Sequence, residues 1–269
     1  PDAVERAITP RTKAMFILHY GGVAADLDRL LAVAAAHRLA VVEDNAHGLG
    51  ATFRGQHLGT FGDLGAQSFH DTKNVAMGEG GALLVQHPEL LARAEIIRDK
   101  GTNRARFWRG EIDKYTWVDE GSSYLPSDLL AAVLCAQLEG FGDIQARRMH
   151  VWTRYAVELR DWASAWGVDL MWVPPERVHP AHLYVMVMPS EADQHGLIAH
   201  LRERDIVATF HYQPLDQSPA GQAFGRAPQP CTVAYDRAAR LVRLPLYAGL
   251  TDADVDRVIE GVTSYRPRR

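Results

Sequence analysis

The sequence has little cysteine, and its few thiols exclude several classes of small stabilised protein. Only two of its 269 residues are cysteines, Cys135 and Cys231, and they lie far apart with no CxxC spacing. This pattern gives no support for a disulfide framework or a structural zinc site, and it fits a reducing cytosol.

Long apolar runs and an excess of one charge are missing as well. No apolar run approaches the roughly 20 residues that cross a bilayer, and residues 1–6 lack the features of a signal peptide. The chain carries 29 Lys and Arg against 33 Asp and Glu, a formal net charge of -4, so no polybasic surface is expected. With 47% hydrophobic residues the chain can bury a core. We expect a cytoplasmic globular protein with no nucleic-acid partner and no membrane contact.

The N-terminal region carries the pattern of an α/β fold. Residues 14–18 are continuously apolar, which is typical of a strand covered on both faces. Residues 26–39 have helical spacing, and a second short strand at 40–42 ends in Glu43 and Asp44. A strand–helix–strand order predicts a parallel sheet, in which ligands bind beyond the carboxyl ends of the strands. Asp44 lies at such an end.

The rest of the sequence predicts a second, smaller domain. We expect an α/β large domain over residues 1–147, and a connector helix with a small α+β domain over residues 148–269. The other predicted elements are strands at 65–70 and 81–85, a helix at 90–100, a long functional loop at 101–126, an apolar helix from Ser127, a helix at about 148–166, a strand at 182–188, a helix at 191–204, a strand at 206–210 and a final helix from Asp252.

A carboxylate and an amine at strand ends suggest pyridoxal phosphate chemistry. Lys73 lies beyond the predicted strand at 65–70, as Asp44 lies beyond its own strand. A lysine amine can form a Schiff base with the cofactor aldehyde, and a carboxylate can keep the pyridine nitrogen protonated. The released lysine can then move a proton as general base and acid. Spacing alone leaves open a solvated Lys73 and a turn-capping Asp44.

Seven segments of the chain have distinctive sequences. They are 19–22 (HYGG), 42–51 (VEDNAHGLGA), 68–81 (SFHDTKNVAMGEGG), 98–104 (RDKGTNR), 109–128 (RGEIDKYTWVDEGSSYLPSD), 210–215 (FHYQPL) and 241–247 (LVRLPLY). In this order they resemble segments of the DegT/StrS-type sugar aminotransferases, which are fold-type I enzymes. The loop at 109–128 is the most specific, and it resembles that of the dTDP-4-amino-4,6-dideoxygalactose transaminases.

The resemblance implies pyridoxal 5'-phosphate as cofactor and assigns five residues to it. Lys73 would form the Schiff base and Asp44 would pair with the pyridine nitrogen. His47 occupies the position that hydrogen-bonds the ring hydroxyl. Ala46 is small enough to let the ring lie flat, and Ser68 would bind the phosphate.

The resemblance also implies partners. Ser122 or Ser123 lies in a region that reaches the neighbouring subunit's cofactor, which predicts a homodimer with a shared active site. His211 and Tyr212 match a segment near the sugar. The implied reaction transfers an amino group from glutamate to a dTDP-4-keto-6-deoxyhexose.

Four of the residues around Lys73 have structural alternatives. His47 could cap a turn, and Ser68 could satisfy a backbone group at a strand end. His70 and Asn74 flank the lysine, and we interpret them as holding the turn.

Two further groups of residues invite other readings. His179 and His182 are three residues apart, but no third ligand is evident nearby, so we expect no metal. Tyr115, Trp117 and Tyr124 could pack the loop or stack against a nucleotide, and the sequence does not choose between these roles.

Relatives of this family carry a substantial stretch before the first strand–helix–strand unit, whereas here that unit comes almost at once. The stretch supplies the phosphate-binding loop and the residue stacked on the cofactor ring, so we expect an N-terminally incomplete fold that binds cofactor poorly and tends to associate. A catalytically incompetent fragment or interaction subunit is the alternative function. Relatives that remove a sugar hydroxyl have His in place of the lysine, and Lys73 argues against that chemistry. Asp216 replaces a usual His, which puts sugar or nucleotide contacts there in doubt.

Overall fold

The computed structural model describes residues 1–268. Eleven α-helices lie within this range: α1 Asp2–Ala7, α2 Leu27–His37, α3 Pro88–Arg98, α4 Arg104–Trp108, α5 Asp128–Glu139, α6 Phe141–Glu158, α7 Arg160–Trp166, α8 Glu191–Arg202, α9 Pro219–Phe224, α10 Thr232–Arg240 and α11 Asp252–Ser264. The strands of the same range are β1 Ala14–Leu18, β2 Ala40–Asp44, β3 Thr52–Phe53, β4 Gln56–His57, β5 Leu64–Ser68, β6 Gly81–Val85, β7 Asp169–Leu170, β8 Arg177–Val178, β9 Val185–Val187 and β10 Leu241–Arg243.

The chain divides into two compact units. The first contains Pro1–Phe141 together with Glu176–His179, and the second contains Gly142–Pro175 and the residues from Pro180 onward. The domain boundary predicted between residues 147 and 148 falls inside α6.

The first unit is built on a four-stranded sheet in the order β1-β2-β5-β6. The first three strands are parallel, and β6 runs antiparallel to β5. The register places Leu18, Asp44 and Ala66 side by side across three strands. The predicted α/β class with a mostly parallel sheet is confirmed, and the carboxyl ends of β2 and β5 meet at one edge.

The two faces of this sheet are packed differently. Met15, Ile17 and Val41 are buried in a cluster with residues of α2. On the other face Phe16 remains 75% exposed and Leu18 46% exposed. The prediction that residues 14–18 are covered on both faces is therefore wrong, because successive side chains of a strand point to opposite faces and only one face is packed in residues 1–268.

Three local predictions also need correction. The loop at 101–126 contains the short helix α4, and Thr102 pairs with Trp117 within it. The helix expected at about 148–166 is two helices, α6 and α7, separated at Leu159. Residues 206–210, all within the described range, form only the bridge from Thr209 to Arg243, because a single residue pair there meets β10.

The second unit has its own core. An antiparallel sheet in the order β10-β9-β7 packs with the helices of this unit. The side chains of this core without exposed surface are Tyr155, Leu159, Tyr184, Met186, Met188, Leu197, Leu201, Val242, Val255 and Val262.

The helices of the described residues give only weak evidence of a membrane-spanning segment. Within residues 1–268 no single helix is both long and apolar enough to cross a bilayer. The bent pair of α5 and α6 reaches that threshold only when the two are taken together, by length and composition.

The buried hydroxyl of Tyr155 gives a test of the second unit. It donates a hydrogen bond to the Pro245 carbonyl at 3.0 Å. Tyr155→Phe should lower the free energy of unfolding by about 1–2 kcal/mol, because the carbonyl loses its donor in a buried place. Urea unfolding measures this. Tyr247→Phe, at a 53% exposed side chain, is the control and should change it little.

Candidate active site

Asp44 is placed by the end of β2 and by the turn that follows it. The Asp44 carbonyl accepts the His19 N–H at 3.1 Å, which continues the β1–β2 ladder past β1. Its Oδ1 accepts the Ala46 N–H at 3.0 Å. The carboxylate is thereby oriented by its own turn, on the open face of the sheet at the carboxyl edge.

The turn after Asp44 is held from beneath by Asn45. The Asn45 amide donates to the Leu58 carbonyl and to Gln67 Oε1, both at 2.9 Å. A side chain at Gly48 would place its Cβ 1.9 Å from Asn45 Oδ1, so a larger residue there would displace the Asn45 side chain that holds the turn. Ala46 and His47 are therefore carried by a rigid turn.

His47 contacts the loop after β1. Its Nδ1 accepts the Gly21 N–H at 3.2 Å, and its ring meets Tyr20 edge-on with centroids 6.0 Å apart. The hydrogen bond from Gly21 supports the interpretation that His47 holds a turn. The expected contact with a cofactor hydroxyl stays a prediction.

Lys73 lies in a short loop between β5 and β6 that is anchored by buried apolar residues. Phe69, Val75 and Met77 are buried, and the Met77 N–H donates to the Phe69 carbonyl at 2.8 Å. The Lys73 N–H donates to the His70 carbonyl at 3.0 Å. The lysine side chain is half-buried.

Burial and Asp44 act on the Lys73 amine in opposite directions. Burial lowers the pKa of Lys73 below its ordinary value, and the Asp44 carboxylate partly offsets this by favouring the charged ammonium. The amine therefore lies within electrostatic reach of Asp44. Asp44 ends β2 and Lys73 follows β5 of the first sheet, whereas their predicted roles toward the cofactor stay predictions.

Ser68 and His70 make local contacts beside the lysine. The Ser68 hydroxyl accepts the His70 N–H at 3.3 Å. The His70 ring lies 2.9 Å from Thr72 Oγ1 and 2.8 Å from Asp71 Oδ1. These contacts favour the structural interpretation of His70, whereas phosphate binding by Ser68 stays a prediction.

The two serines of the long loop run beside the end of α3. The Ser122 N–H donates to the Ile97 carbonyl at 3.0 Å, and Ser123 forms an antiparallel bridge with Asp99. Ser123 is exposed. Its expected reach to a neighbouring subunit stays a prediction.

His211 and Tyr212 belong to the second unit. Their rings meet edge-on at 4.8 Å, with His211 buried and Tyr212 76% exposed. Burial, aided by the positive charge of Arg243, lowers the pKa of His211 to about 4, so the ring is neutral near pH 7. A neutral imidazole beside an exposed phenol suits polar recognition rather than charge pairing.

Metal ligation finds no support in the described part of the chain. Residues 1–268 contain no group of three or more His, Cys, Asp or Glu side chains arranged to hold a metal ion. Burial lowers the pKa of His179 to about 4.

Sequence reasoning missed a buried pair behind Asp44. His19 and Glu43 have no exposed surface, and His19 Nε2 lies 2.8 Å from Glu43 Oε2. Burial raises the pKa of Glu43, but the His19 ring and three backbone N–H groups outweigh it, so the pKa is held below its ordinary value. The sequence did contain a signal for this pair. Glu43 is a charged residue two positions after Val41 on β2, so its side chain lies on the same covered face of the sheet.

Comparison with known proteins assigns the chain to a family. A family model described as the DegT/DnrJ/EryC1/StrS aminotransferase family matches residues 1–263. The chain belongs to this family. It is therefore related to sugar aminotransferases that use pyridoxal phosphate.

Individual relatives agree with the assignment over nearly the whole chain. The spore coat polysaccharide biosynthesis protein SpsC of Bacillus subtilis is 34% identical, over 97% of this chain and 69% of its own length. The aminotransferase TlmJ of Streptoalloteichus hindustanus superposes with a TM-score of 0.87 at 28% identity, over 98% of this chain and 68% of TlmJ. The PLP-form of Spr1654 from Streptococcus pneumoniae superposes with a TM-score of 0.86 at 25% identity, over 98% of this chain and 70% of that protein.

The residues of the first unit fit the cofactor. A half-buried amine with a lowered pKa lies in the field of a carboxylate, and both follow strands that end at the same sheet edge. These are the groups that pyridoxal phosphate needs at its aldehyde and at its ring nitrogen.

The opposing effects on Lys73 predict how the amine titrates. Competitive amine labelling against pH should give Lys73 a midpoint below the ordinary value of a lysine amine. Asp44→Asn should lower that midpoint further, since the charge that favours the ammonium is removed. A rise of the Lys73 midpoint in Asp44→Asn would contradict the assignment.

Proposed function

We propose that the protein is a 4-aminotransferase that converts a dTDP-4-keto-6-deoxyhexose to the dTDP-4-amino-4,6-dideoxyhexose, with glutamate as amino donor. The observation that carries the proposal is the half-buried Lys73 amine in the field of Asp44, in a chain of this family. The loop at 109–128, which resembles that of the dTDP-4-amino-4,6-dideoxygalactose transaminases, supports the choice of sugar.

The names of two relatives support a role in a sugar pathway. SpsC is named for spore coat polysaccharide biosynthesis, and EryC1 of Saccharopolyspora erythraea, 35% identical over 96% of this chain and 67% of its own length, is named for erythromycin biosynthesis. Polysaccharides and antibiotics both carry modified sugars. A nucleotide-linked amino sugar is the product that would serve either pathway.

Each proposed site residue has a defined task. Pyridoxal phosphate, when bound, supplies an electron sink that stabilises negative charge on the carbon next to the amine. The Asp44 carboxylate holds a proton at the ring nitrogen. Lys73 Nζ would hold the cofactor covalently until the amine of the donor displaces it. The freed amine would then remove and return a proton at the carbon beside the donor nitrogen, a task that its lowered pKa favours.

The remaining residues bind and orient. The Ser68 hydroxyl donates to the phosphate and His47 contacts the ring hydroxyl, while Ala46 leaves room for the ring. His211 and Tyr212 lie near the sugar. Ser123, exposed beside α3, reaches the partner subunit's cofactor in a homodimer, and the enzyme works in the cytoplasm.

A second candidate is a non-catalytic interaction subunit of the same family. The observation that favours it is the open face of the first sheet, where Phe16, Leu18 and Leu83 are 75%, 46% and 53% exposed. An apolar face of this kind is suited to a protein contact.

Trapping the cofactor tests the first candidate. Borohydride reduction of the protein after incubation with pyridoxal phosphate, followed by peptide mapping, should place the label on Lys73. Label on Lys13 or Lys100 instead would contradict the assignment. Absence of any label would favour the interaction subunit.

Turnover tests the substrate. The assay incubates the protein with dTDP-4-keto-6-deoxyglucose and glutamate. NMR of the product then distinguishes the two C4 epimers of the amino sugar. Lys73→Ala should lower the rate by about 10²–10⁴-fold, because proton transfer at carbon loses its acid and base. A rate unchanged in Lys73→Ala would exclude the mechanism, and conversion of UDP-linked sugars alone would exclude the dTDP assignment.

A further inference from the structure

The side chain of Glu43 is a buried anchor on the opposite face of the sheet from Asp44. The two residues are consecutive on β2, so their side chains project to opposite faces. Glu43 has no exposed surface. Its two oxygens accept four hydrogen bonds, from His19 Nε2, Gly59 N, Phe61 N and Gly62 N, at 2.6–2.8 Å.

The protonation of His19 follows from its contacts. His19 Nδ1 accepts the Ala25 N–H at 3.3 Å, so this nitrogen carries no hydrogen. Nε2 therefore carries the hydrogen and donates it to Glu43 at 2.8 Å. The ring thus ties the loop after β1 to the middle of the sheet.

The same loop reaches the cofactor side of the sheet. The His19 N–H donates to the Asp44 carbonyl, and the Gly21 N–H donates to His47 Nδ1 at 3.2 Å. A displacement of the His19 ring would therefore move the backbone groups that hold both Asp44 and His47.

We infer that His19 and Glu43 form a positioning pair that sets the orientation of Asp44 and His47, the two residues proposed to contact the cofactor ring. Neither side chain reaches the open face, so the pair acts through the β2 backbone and the loop at 19–25. This role gives a structural function to His19 and Gly21 of the HYGG segment and to Glu43, the acidic residue before Asp44. The inference rests on the proposed function for the identity of the ligand. The positioning itself can be measured on the cofactor-free protein.

Replacing the Glu43 carboxylate with an amide would break hydrogen bonds. Every oxygen of Glu43 faces N–H donors, so the NH₂ group of Glu43→Gln meets a donor in either orientation. His19→Leu removes both ring hydrogen bonds at similar volume. His19→Gln keeps a donor directed at Glu43, and it is the conservative partner of His19→Leu.

Asp63→Asn is the matched control, at a residue immediately before β5 that contacts the other end of β2. Asp63 accepts the Val41 N–H at 2.6 Å and pairs with His87, so it is a carboxylate that holds the opposite end of β2. Its replacement should loosen Val41 without reaching Asp44.

Amide hydrogen exchange on the cofactor-free protein measures the positioning. Two reporters are the Ala46 amide, bound to Asp44 Oδ1, and the Gly21 amide, bound to His47 Nδ1. Relative to the Val42 amide of the same strand, both should exchange about tenfold faster or more in Glu43→Gln and His19→Leu, and near the wild-type rate in His19→Gln and Asp63→Asn. Where Glu43→Gln does not fold, His19→Leu carries the comparison. Wild-type exchange at both reporters, or equal acceleration in Asp63→Asn, would overturn the inference.

A titration with pyridoxal phosphate, monitored by absorbance, measures the affinity of each variant for the cofactor. Glu43→Gln and His19→Leu should each weaken binding about tenfold, and the double variant should add little to either, because the two residues act as one unit. Binding that falls equally in Asp63→Asn would mean that affinity follows stability alone. If the wild-type chain takes no cofactor onto Lys73, the proposed function fails, while the exchange measurement still decides the positioning role.

Discussion

A carboxylate without exposed surface, that of Glu43, is the constraint on which the first unit depends. An ionised group in such a place costs several kcal/mol unless donors surround it. Here an imidazole from the end of β1 and three backbone N–H groups from residues 59–62 supply those donors. Satisfying this one charge fixes the loop after β1 and the turn before β5 against β2. It also fixes the backbone from which Asp44 projects to the other face.

The open face uses that rigid backbone for chemistry. Asp44 and Ser68 project from the ends of two neighbouring parallel strands, and the loop at 69–77 brings the Lys73 amine into the field of the Asp44 carboxylate. Burial lowers the pKa of the Lys73 amine, and the Asp44 carboxylate opposes this with a smaller effect. A lowered pKa favours the neutral amine that can accept a proton.

Two of the residues proposed to bind the cofactor already have partners within the chain. His47 Nδ1 accepts from Gly21, and the Ser68 hydroxyl accepts from His70. These contacts are compatible with the proposed cofactor contacts, because each can leave another hydrogen-bonding position on the same group. A side chain held by such a contact loses less freedom when it binds a ligand.

The sequence alone determined the parts that depend on local pattern and on chemically distinctive residues. The strand–helix–strand order, the position of Asp44 at a strand end, the lysine in its loop and the sugar aminotransferase family were all readable, because apolar periodicity and family segments are local properties. The sequence did not show that Phe16 and Leu18 remain exposed, or that residues 206–210 form a single bridge. Both depend on what other segments pack against them. Only the tertiary structure brought His19 to Glu43, 24 residues apart in the chain, because the two meet through parallel pairing of β1 with β2.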